Sequence, residues 1–371
     1  MKNLSFALKA VDSVPSYIMS LNSKDIKSFV PSKEGLTLDG QNLALGLSTY
    51  GLKLYYMLGE WHKLNESYKL EWINFINSFQ KNYKNLPKNS FVDDVVHNFY
   101  THKDISMLSK DSLRKILNLL PNFNFETNDI KFKKAINAET KQAIATLYQV
   151  GHQHQKPYVP SVFESGNVKS YLDSLDWSKP WTSGAQFASL CVYSKVNEER
   201  NKDLLISYSD SLVNPETGSY YKQTPSHSRE IINGAMKVLS GLDWIDADIH
   251  YPEKLIDYCI NNKPLTEGCD IVDYIYVLYR CSKQTDYKKK EILEIFDDSI
   301  AEIRKLYYKN LNGFSYFENK SQTHYYGVKI SEGKNLPDIH GTLLCTWALI
   351  MILDTAEELK SQYRLKNLTF G

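Results

Sequence analysis

The sequence of 371 residues lacks an excess of charge of either sign. Its 44 lysines and arginines face 43 aspartates and glutamates, for a formal charge of +1. That balance argues against the chain-wide basic footprint of a nucleic-acid binder or a protein held on anionic lipid. Cysteine is sparse and odd in number: Cys191, Cys259, Cys269, Cys281 and Cys345 lie in apolar contexts, as reduced, mostly buried thiols rather than a disulfide framework. The opening segment MKNLSFALKAVDSVPSYIMS has no compact apolar core and carries Lys9 and Asp12, so no signal peptide is expected and a cytoplasmic location is the default. No apolar run reaches the roughly 20 residues of a membrane span. A glycine-rich phosphate loop, a G-x-S-x-G elbow and an HExxH helix are all missing, which removes those reaction classes. Strand-type alternation is missing too, apart from 218–222, 313–317 and 323–330, which could form small ribbons. No low-complexity linker divides the chain, so 1–371 reads as one domain, with 1–36 an N-terminal helix and loop punctuated by Pro15 and Pro31.

What is present is helical periodicity. The segment PDIHGTLLCTWALIMILDTAEEL (337–359) opens on a turn, runs apolar from Leu343 to Leu353 and closes on acids. A helix apolar nearly all round is a core helix. Further helices are expected over 38–61, 71–83, 91–100, 111–120, 137–151, 183–195, 229–242, 251–262, 271–282 and 288–308. Polar residues open the more apolar ones: Gln41, Asp93, Gln142, Gln186, Arg229, Asp270 and His340 recur at intervals of roughly 40–55 residues until the last. Alternation of all-round apolar helices with amphipathic ones predicts an all-α fold, an (α/α)6 toroid of repeated helical hairpins. In that geometry the N-termini of the inner helices meet at one end, where free N–H groups and positive dipole ends gather. The aromatic content, 26 Tyr, 15 Phe and 6 Trp, suits either semi-buried packing or a cavity wall for an apolar or sugar ligand.

The stretches NPETGSYYKQTPSHSREIINGAMKVL, LTEGCDIVDYIYVLYRC and NGFSYFENKSQTHYYG…PDIHGTLLCTWAL resemble repeats of the terpenoid-cyclase/protein-prenyltransferase superfamily, over roughly 137–371. The resemblance implies an enzyme acting on an apolar, isoprenoid-like substrate in a central cavity. It also implies a zinc ion held by Glu267, Cys269 and His340, in the manner of the Asp-x-Cys and His of prenyltransferases. Glu stands here where that family has Asp, and no diphosphate-gripping basic cluster is evident. The plainer reading makes Cys269 a small core residue and His340 part of a helix cap. The string Asp243–Asp248 holds a DxD but not the DxDD of squalene-type cyclases. Asp297 and Asp298 lie on a charged helix, as a solvated face would.

A second reading is carbohydrate chemistry. Asp270 and Asp273, three apart, share a helix face and could serve as acid and base, with His227 and Arg229 at a neighbouring helix mouth. Tyr316, Tyr325, Tyr326 and Trp347 are the candidate substrate-binding aromatics. Polysaccharide lyases, glycoside hydrolases and epimerases also use α/α toroids. A third reading is a toroid that binds a small molecule or partner without catalysis. The plainer account of Asp270 and Asp273 is a helix cap and a buried hydrogen-bonder, and His152 and His154 read as an exposed loop pair. Oligomeric state is not legible.

Overall fold

The structure, a computed structural model, describes the chain except residues 23–24, 26, 103–104, 121–124, 224, 226, 266–267, 366–367 and 369–371, and the side chains of 105–108. Among the described residues it is mainly helical. The order is α1 (Leu4–Ser20), α2 (Leu38–Asn42), α3 (Leu45–Met57), a 3-10 turn (Glu60–Lys63) and α4 (Glu66–Asn77). A ribbon of β1 (Gln80–Lys81) and β2 (Ser90–Phe91) leads to α5 (Asp94–Thr101), α6 (Ile105–Leu117) and α7 (Asn128–Gln149). Then come α8 (Ser161–Glu164), α9 (Val168–Asp173), α10 (Pro180–Val196), α11 (Lys202–Asp210), α12 (Ser228–Trp244), α13 (Pro252–Asn261), α14 (Gly268–Ser282) and α15 (Lys289–Lys305). The antiparallel ribbons β3 (Tyr307–Tyr308)–β4 (Gly313–Phe314) and β5 (His324–Tyr325)–β6 (Val328–Lys329) precede α16 (Ile339–Thr355).

Six helices are buried on nearly every side over most of their length, and each packs on the next in a closed cycle: α3, α7, α10, α12, α14, α16 and back to α3. Contacts between their ends give their direction. At one end Trp181 N–H of α10 donates to Glu230 of α12 (3.3 Å), and Arg229 of α12 bonds Asp270 of α14 (2.8 Å). At the other, Lys195 reaches Asp246 just beyond α12, Arg280 of α14 bonds Asp243 of α12, and Tyr279 of α14 bonds Asp354 of α16. First turns meet first turns and last turns meet last turns, so α10, α12, α14 and α16 run parallel. Parallel neighbours need a returning element between them, and α11, α13 and α15 occupy those positions in sequence. Their patterns show one wet face. α15 buries Ile292, Ile295, Phe296, Ser299, Ile300 and Ile303 at helical spacing while Lys290, Glu294 and Asp298 stay outside.

Several boundaries depart from the sequence expectation for identifiable reasons. The helix expected over 38–61 breaks at Leu43–Ala44, because the Asp93 carboxylate takes the N–H groups of Ala44 (2.9 Å) and Leu45 (2.8 Å) and so caps α3 from a distance. The same carboxylate caps α5 through Val95 N–H, and Phe91, expected helical, lies in β2. Asp93 therefore does not open one of the six cyclic helices; α5 lies outside the cycle against α7. The expected 71–83 helix ends at Asn77 and passes into β1. Pro15 does not end α1: Val11, Val14 and Ile18 are fully buried on either side of it, and their burial outweighs one lost backbone bond. The expected ribbons are present at 313–314 and 324–329, with a single bridge, Val213–Tyr220, at the third.

α16 is seated by Asp338 and Gly341. One Asp338 oxygen caps the helix through Gly341 N–H (2.8 Å); the other takes Tyr316 N–H (2.7 Å) and Gln322 N–H (3.0 Å) of the preceding aromatic loop. A Cβ on Gly341 would lie 2.3 Å from the Ser315–Tyr316 backbone, so only glycine allows that loop to lie against the helix start. This closeness sets Tyr316 over the mouth of α16.

Candidate active site

The interior of the cycle, near the N-terminal turns of α12, α14 and α16, holds polar and ionisable side chains rather than hydrocarbon alone. Asp270, in the first turn of α14, accepts Arg229 Nε and Asn233 Nδ2, both at 2.8 Å. One turn further along, Asp273 is 3% exposed. Burial pushes its carboxyl up to about 7; the Lys237 ammonium pulls it down, Asp270 pushes it up and Arg229 pulls it down.

Tyr316 joins two other candidates. Its hydroxyl lies 3.1 Å from Cys269 Sγ, and its ring stacks on His340 with centroids 4.9 Å apart. The other neighbour stacked on His340 is Tyr50 of α3, also at 4.9 Å. Burial, reinforced by the Lys237 and Lys53 charges, pushes His340 down to about 3, so the imidazole is neutral. Burial likewise pushes the Cys269 thiol up to about 11, with Asp273 adding to the effect.

Three buried lysines from three helices share this interior: Lys53 (α3), Lys141 (α7) and Lys237 (α12). Lys53 donates to Gln142 Oε1. Burial holds Lys53 and Lys141 well below the ordinary amine range, and Lys237 repels both. Glu139 and Asp93 lie on the α7 side, where burial raises both carboxyls. The charge of Lys237 acts on Asp273, Cys269, His340, Lys53 and Lys141. Buried polar atoms with no hydrogen-bond partner among the described residues include Gln142 Nε2, Glu139 Oε1, Asn233 Oδ1, Asp273 Oδ2 and His340 Nδ1.

Of the residues expected from sequence, the structure thus gathers Asp270, Asp273, Arg229, Cys269, Tyr316 and His340. His227 is exposed at the N-cap of α12. Tyr325 is buried against Tyr50 (6.1 Å) and Tyr326 (4.5 Å); Tyr326, with φ +43°, and Gly327 make the tight turn of the β5–β6 ribbon. Trp347 is in the core, its ring 5.0 Å from Tyr276. Asp298 is exposed and Asp297 takes Asn3 N–H at 2.9 Å, in keeping with an outer face. The cysteines are free, and four of the five are buried.

Glu267 lies outside the described residues. Among the described residues no group of three His, Cys, Asp or Glu is placed to hold a metal ion. Of the expected zinc ligands the structure describes two, Cys269 at the Tyr316 hydroxyl and His340 against the Tyr316 ring.

Lys53, Lys141, Lys237, Tyr50 and Asn233 were missed by the sequence reading, and Gln142, expected to open its helix, lies well inside α7. A signal existed for two of them: Lys53 in STYGLKLYYML and Lys237 in INGAMKVLSGL interrupt apolar helices, and fully buried lysines are rare. Among the described residues no helix is long and apolar enough to cross a membrane. Compared with protein-family models, with curated proteins and with solved structures, the chain matches none.

Proposed function

We propose that the six cyclically packed helices form the inner wall of an (α/α)6 toroid, and that the polar groups inside it make an acid–base site for a hydroxylated, carboxylate-bearing ligand such as an acidic sugar. One observation carries this reading: buried polar atoms of Gln142, Asn233, Asp273 and His340, on four helices of the cycle, have no hydrogen-bond partner among the described residues. Leaving such an atom without a partner costs about 1–3 kcal/mol. A polar ligand would recover that cost; an all-hydrocarbon one would not. Asp273, held near half-ionised at neutral pH, can both accept and return a proton. Arg229 and Asn233 hold Asp270, so the second carboxylate orients the wall beside it. A ligand carboxylate would relieve the mutual repulsion of Lys53, Lys141 and Lys237. Tyr316 and Tyr50 stack on His340 and hold its imidazole in the wall of the site.

The test is a thermal-shift and turnover screen with uronic acids and their oligomers. Asp273→Asn is expected to bind a hit but lose turnover, and the pH–rate profile of the parent is expected to bend near 7. Turnover unchanged in Asp273→Asn would overturn the assignment.

A second reading, an isoprenoid-like substrate, draws support from a separate groove of about 620 Å³ between α7 and α10. Leu86, Ile136, Val162 and Leu190 line it, with Asn137, Tyr171 and Gln186 and the amines of Lys133 and Lys134 as polar groups, and its size suits a small ligand. Binding of a farnesyl-type analogue lost on Leu190→Asp, with no response to acidic sugars, would favour it.

A further inference from the structure

Helix α6 presents the wrong face to water. Asp111, Arg114, Lys115 and Asn118 recur at helical spacing and form its polar side. Asp111 and Asn118 make the bonds on that side, while Arg114 is half-buried at its edge and Lys115 is exposed. Asp111 is buried, takes Asn128 N–H (2.6 Å) and pairs with Lys115 (2.9 Å), and Asn118 makes two bonds to the Phe125 backbone. The opposite side and the turn beyond it carry Leu113, Ile116, Leu119 and Leu120, which are 56%, 62%, 83% and 51% exposed. Ile130, 41% exposed, adds an apolar side chain at the start of α7 and also lines the groove between α7 and α10. A helix of a water-surrounded domain normally turns its apolar stripe inward. An exposed contiguous apolar patch marks a surface that something else covers.

The charge around this patch selects the occupant. Residues 110–134 hold six cations, Lys110, Arg114, Lys115, Lys131, Lys133 and Lys134, against three carboxylates, Asp111, Glu126 and Asp129. Lys110, Arg114 and Lys131 take part in no ion pair among the described residues, whereas Lys115, Lys133 and Lys134 each have one. The chain-wide charge of +1 conceals this local excess. A second copy of the chain docked face to face would oppose cations to cations, which disfavours self-association.

We propose that α6 and the start of α7 form an interfacial docking surface for an anionic lipid bilayer. Leu113, Ile116, Leu119 and Leu120 would enter the headgroup–acyl boundary, and Lys110, Arg114 and Lys131 would remain among the lipid phosphates. Leucine and isoleucine flanked by cations is the composition that seats an amphipathic helix in such a boundary. The surface does not rest on the acid–base reading of the interior, and failure of either leaves the other standing.

The test is co-flotation of the full chain with vesicles of phosphatidylcholine alone or mixed with phosphatidylglycerol, at low and high salt. Partitioning onto the anionic vesicles, weakened by salt, is expected. Ile116→Glu/Leu119→Glu changes exposed positions only; it is expected to keep the parent circular dichroism and to lower partitioning by about tenfold or more. Lys110→Glu/Arg114→Glu is expected to remove the preference for anionic over neutral vesicles. No flotation on anionic vesicles would overturn the proposal, as would flotation unchanged in both variants. So would a lipid-free dimer that Ile116→Glu/Leu119→Glu dissolves, which would assign the patch to a second copy.

Discussion

Replacing Asp273 by asparagine is expected to stabilise the protein in alkaline solution and to do so in a pH-dependent way. Burial raises this carboxyl from an ordinary value of 3.8 to about 7. The shift is about three pH units at ~1.4 kcal/mol each, or about 4 kcal/mol between the two protonation states. A carboxyl with a raised folded pKa keeps its proton in the native state after the unfolded chain has lost it. Its contribution is fully present below about pH 4, falls as pH rises, and is lost above about pH 7. Asparagine cannot ionise and escapes that loss. The variant-minus-parent stability should therefore be flat below about pH 4, climb through the interval, and level off up to about 4 kcal/mol higher by about pH 8. Urea unfolding followed by circular dichroism across this range measures it. Lys53 and Lys141 impose a slope of the opposite sign, but on both proteins, so the difference isolates Asp273. A difference that stays constant from acid to alkali would show that Asp273 is hydrated and would refute both its burial and its tuning as an acid–base group.

Three further outcomes follow from the packing. Gly46→Ala places a Cβ 2.2 Å from the Tyr325 hydroxyl; a loss of about 1–3 kcal/mol is expected in chemical denaturation, partly recovered in the double variant with Tyr325→Phe. Asp93→Ala strands the N–H groups of Ala44, Leu45 and Val95, and a loss of about 3 kcal/mol or more is expected, with Asp93→Asn milder because it keeps an acceptor. Lys53 is an amine whose folded pKa is depressed, so the unfolded chain binds the extra proton and parent stability rises as pH climbs toward the ordinary value of 10.5. Lys53→Met should show a smaller rise, because only Lys141 then contributes, as thermal unfolding at neutral and alkaline pH would show.

The sequence by itself determined the helical class, because the apolar spacing that makes an amphipathic helix is local and needs no partner to be read. Residues 289–305 and 339–355 illustrate both kinds, one with a single apolar stripe and one apolar all round. It also marked the residues that open α12, α14 and α16, since Arg229, Asp270 and His340 stand out beside apolar runs. Tertiary structure decided what lay beyond the reach of spacing. The break before α3 depends on a carboxylate 48 residues away in Leu45's hydrogen bond. Asp273 becomes a tunable acid only because Lys237, Asp270 and the surrounding helices take it out of water. Three lysines from α3, α7 and α12 are buried within range of one another's charge, which spacing along the chain does not reveal. α6 is tied to the start of α7 by the Asp111–Asn128 bond and to its own following loop by Asn118, with Leu113 and Ile116 left exposed. A local pattern gives a helix two faces; only its long-range contacts decide which of them meets solvent.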